Sequence, residues 1–159
     1  MSISRHYLSE QIRRSKFDIR YENKVIQFIS KINKEENDEM NADIINNQGH
    51  LYVLDLFQEY IENHNYNKRD LRKFLHKIRR KANIISKKID DKYKGEISND
   101  KLEQNPDDFK NLFFYYGVEC ATNDLLAIIN GISYIDKSVY ISTDLNKLSN
   151  NIKQSRKID

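Results

Sequence analysis

The sequence predicts a mainly α protein: a single-domain helical bundle of six or seven helices over residues 1–159, with a small β-hairpin near 132–142. Three observations carry that expectation. One Pro and four Gly in 159 residues leave few chain breakers, which disfavours turn-rich sandwiches and barrels. Apolar residues recur at helical spacing through most of the chain. Hydrophobic residues at 38% and charged residues at 32% describe a polar-surfaced chain that still holds enough periodic Ile, Leu, Tyr and Phe to bury a core.

The elements follow in order. After a flexible end at about 1–4, residues 4–15 form a first helix around Tyr7, Leu8 and Ile12. In residues 20–34, RYENKVIQFISKINK, the spacing of Tyr21, Val25, Phe28, Ile29 and Ile32 gives a second, amphipathic helix. The polar run of about 35–49 reads as a loop. LYVLDLFQEYIEN then carries Leu51, Val53, Leu54, Leu56, Phe57, Tyr60 and Ile61 around most of a helix circumference, so 51–61 is expected at the centre of the fold.

The next stretch, NKRDLRKFLHKIRRKANIISKKIDDKYKG, has clear punctuation. Asn67 can cap a helix, Asp70 suits the positive end of its dipole, and Gly95 offers a left-handed stop. Leu71, Leu75, Ile78, Ala82, Ile85 and Ile89 are spaced alternately four and three apart, a heptad seam on a helix that would run to about 40 Å at 1.5 Å per residue. Further on, Asn105, Pro106, Asp107 and Asp108 mark another helix start, with Phe109, Leu112, Phe113 and Tyr116 as its stripe. Gly117 is expected to end or kink it, and ATNDLLAIINGI restarts a helix closed by Gly131. A hairpin turning at Asp136 and Lys137 and a last helix capped by Thr143, carrying Leu145, Leu148 and Ile152, precede a flexible tail at about 154–159.

Charge is distributed unevenly. The formal net charge is +3, yet the 35–63 segment holds eight Asp and Glu with no Lys or Arg, and 64–95 holds twelve Lys and Arg against three Asp. The basic helix could be neutralised by its acidic predecessor, or its outer cations could meet a ligand. The apolar seam takes about a third of the circumference, so some cations must face outward. The nominated binding residues are Lys68, Arg72, Lys73, Arg79, Arg80, Lys87 and Lys88, with Tyr66 and Tyr93 placed to stack on single-stranded bases.

Arg69 and His76 bracket six residues in RDLRKFLH. That spacing resembles the Arg-x4–6-His signature of the HEPN ribonuclease family, which is also all-helical. The resemblance implies a metal-independent ribonuclease in which Arg69 would stabilise a strained phosphate and His76 would move a proton during 2′-hydroxyl attack. The order helix, Gly, helix, hairpin over 106–142 is similar to a winged helix-turn-helix. Its second helix carries Asp124 and no Lys or Arg, unsuited to a DNA groove, so packing or dimerisation is the expected use of that layout.

Other chemistry finds little support. His50, Glu59, Glu62 and His64 match no metal-ligand spacing, and no Walker, GxGxxG or GxSxG motif occurs, so no metal and no cofactor are expected. Cys120, the one cysteine, sits in the apolar context YYGVECATNDLL and reads as a buried small hydrophobe. Without a signal-like N-terminus or an apolar run of about 20 residues, the expectation is a cytoplasmic protein that makes no membrane contact. The richness in Ile, Lys, Asn and Tyr suits an AT-rich genome such as that of a virus, phage or plasmid. The leading expectation is therefore a non-enzymatic regulatory protein binding a protein partner or a second copy of itself as a homodimer; the alternatives are a nucleic-acid-binding protein using the basic helix and the HEPN-like ribonuclease.

Overall fold

Long helices follow from the scarcity of breakers, and the computed structural model contains four among its described residues, which are 3–32, 37–94, 96–98, 101–102 and 104–131. They are α1 (Arg5–Ile32), α2 (Asn37–Asn63), α3 (Lys68–Lys92) and α4 (Pro106–Ile129), with no strand among them. Six or seven helices had been expected; two mergers account for the difference within the described residues, and a third stretch, expected as a loop, is helical. The two N-terminal helices are one, because no Gly or Pro interrupts 5–32 and Ser15 sits within the turns of a continuous ladder. Of the expected loop at about 35–49, residues 37–49 are the first half of α2, where buried Ala42, Asn47 and Gly49 pack. Gly117 does not end α4, which runs through it, and this also removes the helix-turn-helix layout. The expected hairpin at 132–142 and the Thr143-capped helix lie outside the described residues.

α4 is the helix around which the others assemble, packing against both α2 and α3, while α1 lies on α2. Its length and apolar composition would let it cross a membrane, and here that apolarity is used by burying Leu112, Val118, Ala121, Leu125, Ile128 and Ile129. The 51–61 stretch is central as expected: Val53, Leu54, Phe57 and Ile61 are buried, Phe57 at 0% exposure. Burying a Val, Leu, Ile or Phe side chain contributes roughly 1.5–3 kcal/mol each.

The α2–α4 crossing depends on two glycines that face the opposite helix's backbone. A Cβ on Gly49 would strike the Phe114 carbonyl oxygen and lie 3.0 Å from its carbon. A Cβ on Gly117 would strike the Asn46 carbonyl oxygen and lie 2.8 Å from its carbon. Neither helix backbone can retreat like a flexible side chain, so the absence of a Cβ at both positions sets how closely the helices approach. Polar groups inside this packing are satisfied. Asn47 Nδ2 donates to Asn23 Oδ1 at 2.8 Å, and Ser86 Oγ donates to Glu119 Oε1 at 2.9 Å. Among the described residues no buried side-chain N or O lacks a partner.

α3 is one unbroken rod, its start fixed by a reciprocal capping box. The Asp70 N–H donates to Asn67 Oδ1 at 2.8 Å, and the Asn67 N–H donates to Asp70 Oδ2 at 3.3 Å. Its seam faces inward, with Leu71, Leu75, Ala82 and Ile89 buried and Ile78 and Ile85 half-buried. At the far end the left-handed residue is Lys94, with φ 52°, one position before the expected Gly95, which lies outside the described residues.

Replacing Gly117 with Ala tests the crossing. Overpacking costs typically about 1–3 kcal/mol, and the upper end applies when the struck atom is backbone. Urea unfolding of Gly117→Ala should show a loss of at least about 2 kcal/mol relative to wild type, and a loss under ~0.5 kcal/mol would contradict the crossing.

Candidate polyanion interface

Because the seam of α3 turns inward onto α4, the rest of its circumference faces outward. Arg69, Lys73, Lys77, Arg80, Lys81, Lys87 and Lys88 are all exposed. At 3.6 residues per turn, Arg69, Lys73, Arg80 and Lys87 fall nearly in line, spanning about 27 Å of helix. Among the described residues, Lys92 is the one α3 cation in an ion pair, with Asp108 at 2.6 Å. Lys92, followed by the Tyr93 hydroxyl at 2.8 Å, holds the Asp108 carboxyl below the usual carboxylate range.

The acidic neighbour does not neutralise this row. Among the described residues no ion pair joins α2 to α3; Asp55 of α2 instead pairs with Lys16 of α1 at 2.5 Å. α3's main packing partner is α4, and its contact with α2 near the connecting turn is aromatic, with Phe74 stacked on Tyr60 at 4.3 Å. The carboxylates of α3 itself lie at its ends: Asp70 is engaged in the cap, and Asp90 and Asp91 follow Lys88.

The nominated residues divide. Lys73, Arg80, Lys87 and Lys88 are exposed on the row, and Lys68 and Arg79 are half-buried at its margins. Arg72 is structural: its Nε and Nη2 donate to Asn130 Oδ1 at 3.1 and 2.9 Å, tying the start of α3 to the end of α4. Arg69, Lys77 and Lys81 were missed. The signal was available, since all three lie away from Leu71, Leu75, Ile78 and Ala82 on a helical wheel.

Tyr66 and Tyr93 do not offer stacking surfaces. The Tyr66 hydroxyl donates to the Ile3 carbonyl at 3.2 Å and its ring lies beneath the Arg5 guanidinium, while Tyr93 is held by Asp108. Of the HEPN-like pair, Arg69 and His76 are both exposed on the outer side of α3. The four candidate metal ligands do not converge. His50 Nε2 lies 3.3 Å from Asp124, His64 Nδ1 lies 3.1 Å from the Tyr60 carbonyl, and Glu62 accepts from Gln58. No group of three or more His, Cys, Asp or Glu that could hold a metal occurs among the described residues.

Cys120 is exposed, a correction to the buried position expected from its apolar neighbours. α4 buries Gly117, Val118, Ala121 and Thr122, and position 120 falls on the other side of that turn. Partial burial, then the carboxylates of Asp124 and Glu119, push its thiol above the ordinary cysteine value. A raised pKa means less thiolate at neutral pH. Iodoacetamide should therefore alkylate Cys120 at pH 7 more slowly than a free cysteine, with the rate midpoint displaced above about pH 8.5. A rate equal to or above that of free cysteine would contradict this environment.

The chain matches no family model, no curated protein and no solved structure, so the reading of its surface rests on the geometry alone.

Proposed function

We propose that the protein is a non-enzymatic nucleic-acid-binding protein that holds the phosphates of a duplex along the outer face of α3. The observation that carries this reading is the exposed row of Arg69, Lys73, Lys77, Arg80, Lys81, Lys87 and Lys88, none in an ion pair among the described residues. Lysine and arginine at this density gain affinity by displacing the counterions condensed on a polyanion. The face is about 27 Å long, comparable to eight base pairs at 3.4 Å, and a B-DNA major groove about 12 Å wide admits an α-helix.

Two features favour a duplex over a protein partner or a single strand. Ile84 is the one large apolar residue exposed on α3, whereas protein interfaces draw most of their energy from buried aromatic and other large anchors. The leading sequence expectation, a protein partner or second copy, would have to use a different surface. The stacking platforms of single-strand binders are aromatic, and Tyr66, Phe74 and Tyr93 are all engaged in packing or hydrogen bonds. Lysines and arginines spread along the row suit contact with phosphates, which carries no sequence preference of its own.

Fluorescence anisotropy with a generic DNA duplex of about 20 base pairs tests the reading. Engagement of five phosphates gives log K against log salt a slope of about −4.5, at −0.9 per phosphate. Replacing Lys73, Arg80 and Lys87 together with Glu should abolish binding at ~50 mM salt while leaving helix content unchanged, since none of the three is buried. Failure of the wild type to bind at that salt, or a charge-reversed variant that binds equally well, would refute the proposal.

A further inference from the structure

α1 is apolar on two opposite sides, and among the described residues only one of them is covered. Leu8, Ile12 and Ile19 are buried on the side facing α2. At 100° per residue, Phe17, Tyr21, Val25, Phe28 and Ile32 fall on the other side within about 80° of one another, with Ile29 at their edge. They form an exposed stripe, with Phe28 67% and Ile32 70% exposed. Seven of the nine large hydrophobics exposed among the described residues belong to α1. An apolar stripe of this size on a folded chain marks a docking surface.

We infer that the stripe is where two copies of the chain meet, α1 against α1, with the two helices running in the same direction about a two-fold axis. The charge beside the stripe carries the argument. On the helical wheel Arg20, Lys24 and Lys31 lie along one edge, and Asp18 and Glu22 lie along the other. A two-fold axis parallel to the helices brings the basic edge of each copy onto the acidic edge of its partner. At 1.5 Å per residue, Glu22 then sits about 3 Å along the axis from both Arg20 and Lys24. An antiparallel pair would instead set each edge against itself, like charge on like. Arg20, Glu22 and Lys24 are exposed, and none of the three forms an ion pair among the described residues. A surface of one sign, such as an anionic membrane, would attract the first edge and repel the second, whereas a second copy supplies the complement of both.

The area available suits a dimer. Phe17, Tyr21 and Phe28 are each about two-thirds exposed, and at roughly 200 Å² a ring they offer about 400 Å² per copy. Val25, Ile29, Ile32 and the aliphatic stems of Arg20 and Lys24 extend the contact toward the ~800 Å² per partner of a standard interface. Aromatic anchors at the centre of a contact carry most of its binding energy, and the stripe has three. The covered side of α1, which holds α2, points away from the stripe, so the described helices of the two copies lie on opposite sides of the α1 pair.

Sedimentation equilibrium on the full chain, without DNA, tests the inference. At ~100 µM the wild type should sediment at twice the 19.0 kDa chain mass. Phe28→Asp should be monomeric with unchanged helix content by circular dichroism, since the position is exposed. Glu22→Lys should weaken the dimer by about tenfold or more, because like charges then face each other, and adding Arg20→Glu and Lys24→Glu to it should restore dimerisation. A wild-type monomer at that concentration would overturn the inference, whether it stays free or gathers on phosphatidylserine vesicles. So would a dimer that Phe28→Asp leaves intact, which would place the contact elsewhere, or one that Glu22→Lys leaves equally tight, which would exclude the parallel pairing. None of these outcomes depends on whether α3 binds DNA.

Discussion

The architecture depends on how closely α2 and α4 can approach. Gly49 and Gly117 each place bare backbone against the opposing carbonyl, and a methyl group at either position would collide with atoms that cannot rotate away. That proximity lets Val53, Leu54, Phe57 and Ile61 meet Val118, Ala121, Leu125 and Ile129 in one core. With one flank of α4 filled by α2, the other is left for α3, whose seam of Leu71, Leu75, Ala82 and Ile89 turns to meet it. The exposure of the α3 cations follows from that placement. A helix at the edge of the bundle hides a third of its circumference and presents the rest.

The electrostatic consequence is a separation of charge that the near-neutral total conceals. The acidic α2 spends carboxylates on α1 and on its own turns, as Asp55 with Lys16 and Glu62 with Gln58 illustrate, and the cations of α3 keep their outward orientation. Surface ion pairs contribute only about 0–1 kcal/mol, so there is little energetic pressure to cover every lysine. An uncovered row of this length has a large effect on association with a polyanion, where the contributions of several phosphates add and counterion release drives binding.

Much of this was legible in the residues. The α3 rod could be read from Asn67, Asp70 and the alternating seam, and the central position of 51–61 from its nearly complete apolar circumference. The helical first half of α2 was not, because Asn, Asp and Gly there carry turn propensity that tertiary contacts override: Asn47 bonds Asn23, and Gly49 lies on the Phe114 backbone. Gly117 misled for the same reason, since local propensity cannot distinguish a glycine that breaks a helix from one that admits a neighbour. In α1, periodicity revealed Tyr21, Val25, Phe28 and Ile32 as a face without saying whether anything covers it. Among the α3 cations, composition gave the row, and only packing revealed that Arg72 is committed to Asn130.

The most direct test of the account is residue-level mapping of where a DNA duplex touches the protein, by amide chemical-shift changes on titration into the full chain. The account predicts changes concentrated along α3 from Arg69 to Lys88, strongest at Arg69, Lys73, Arg80 and Lys87. Changes confined to the α1 stripe, spread evenly over the surface, or absent altogether would contradict it.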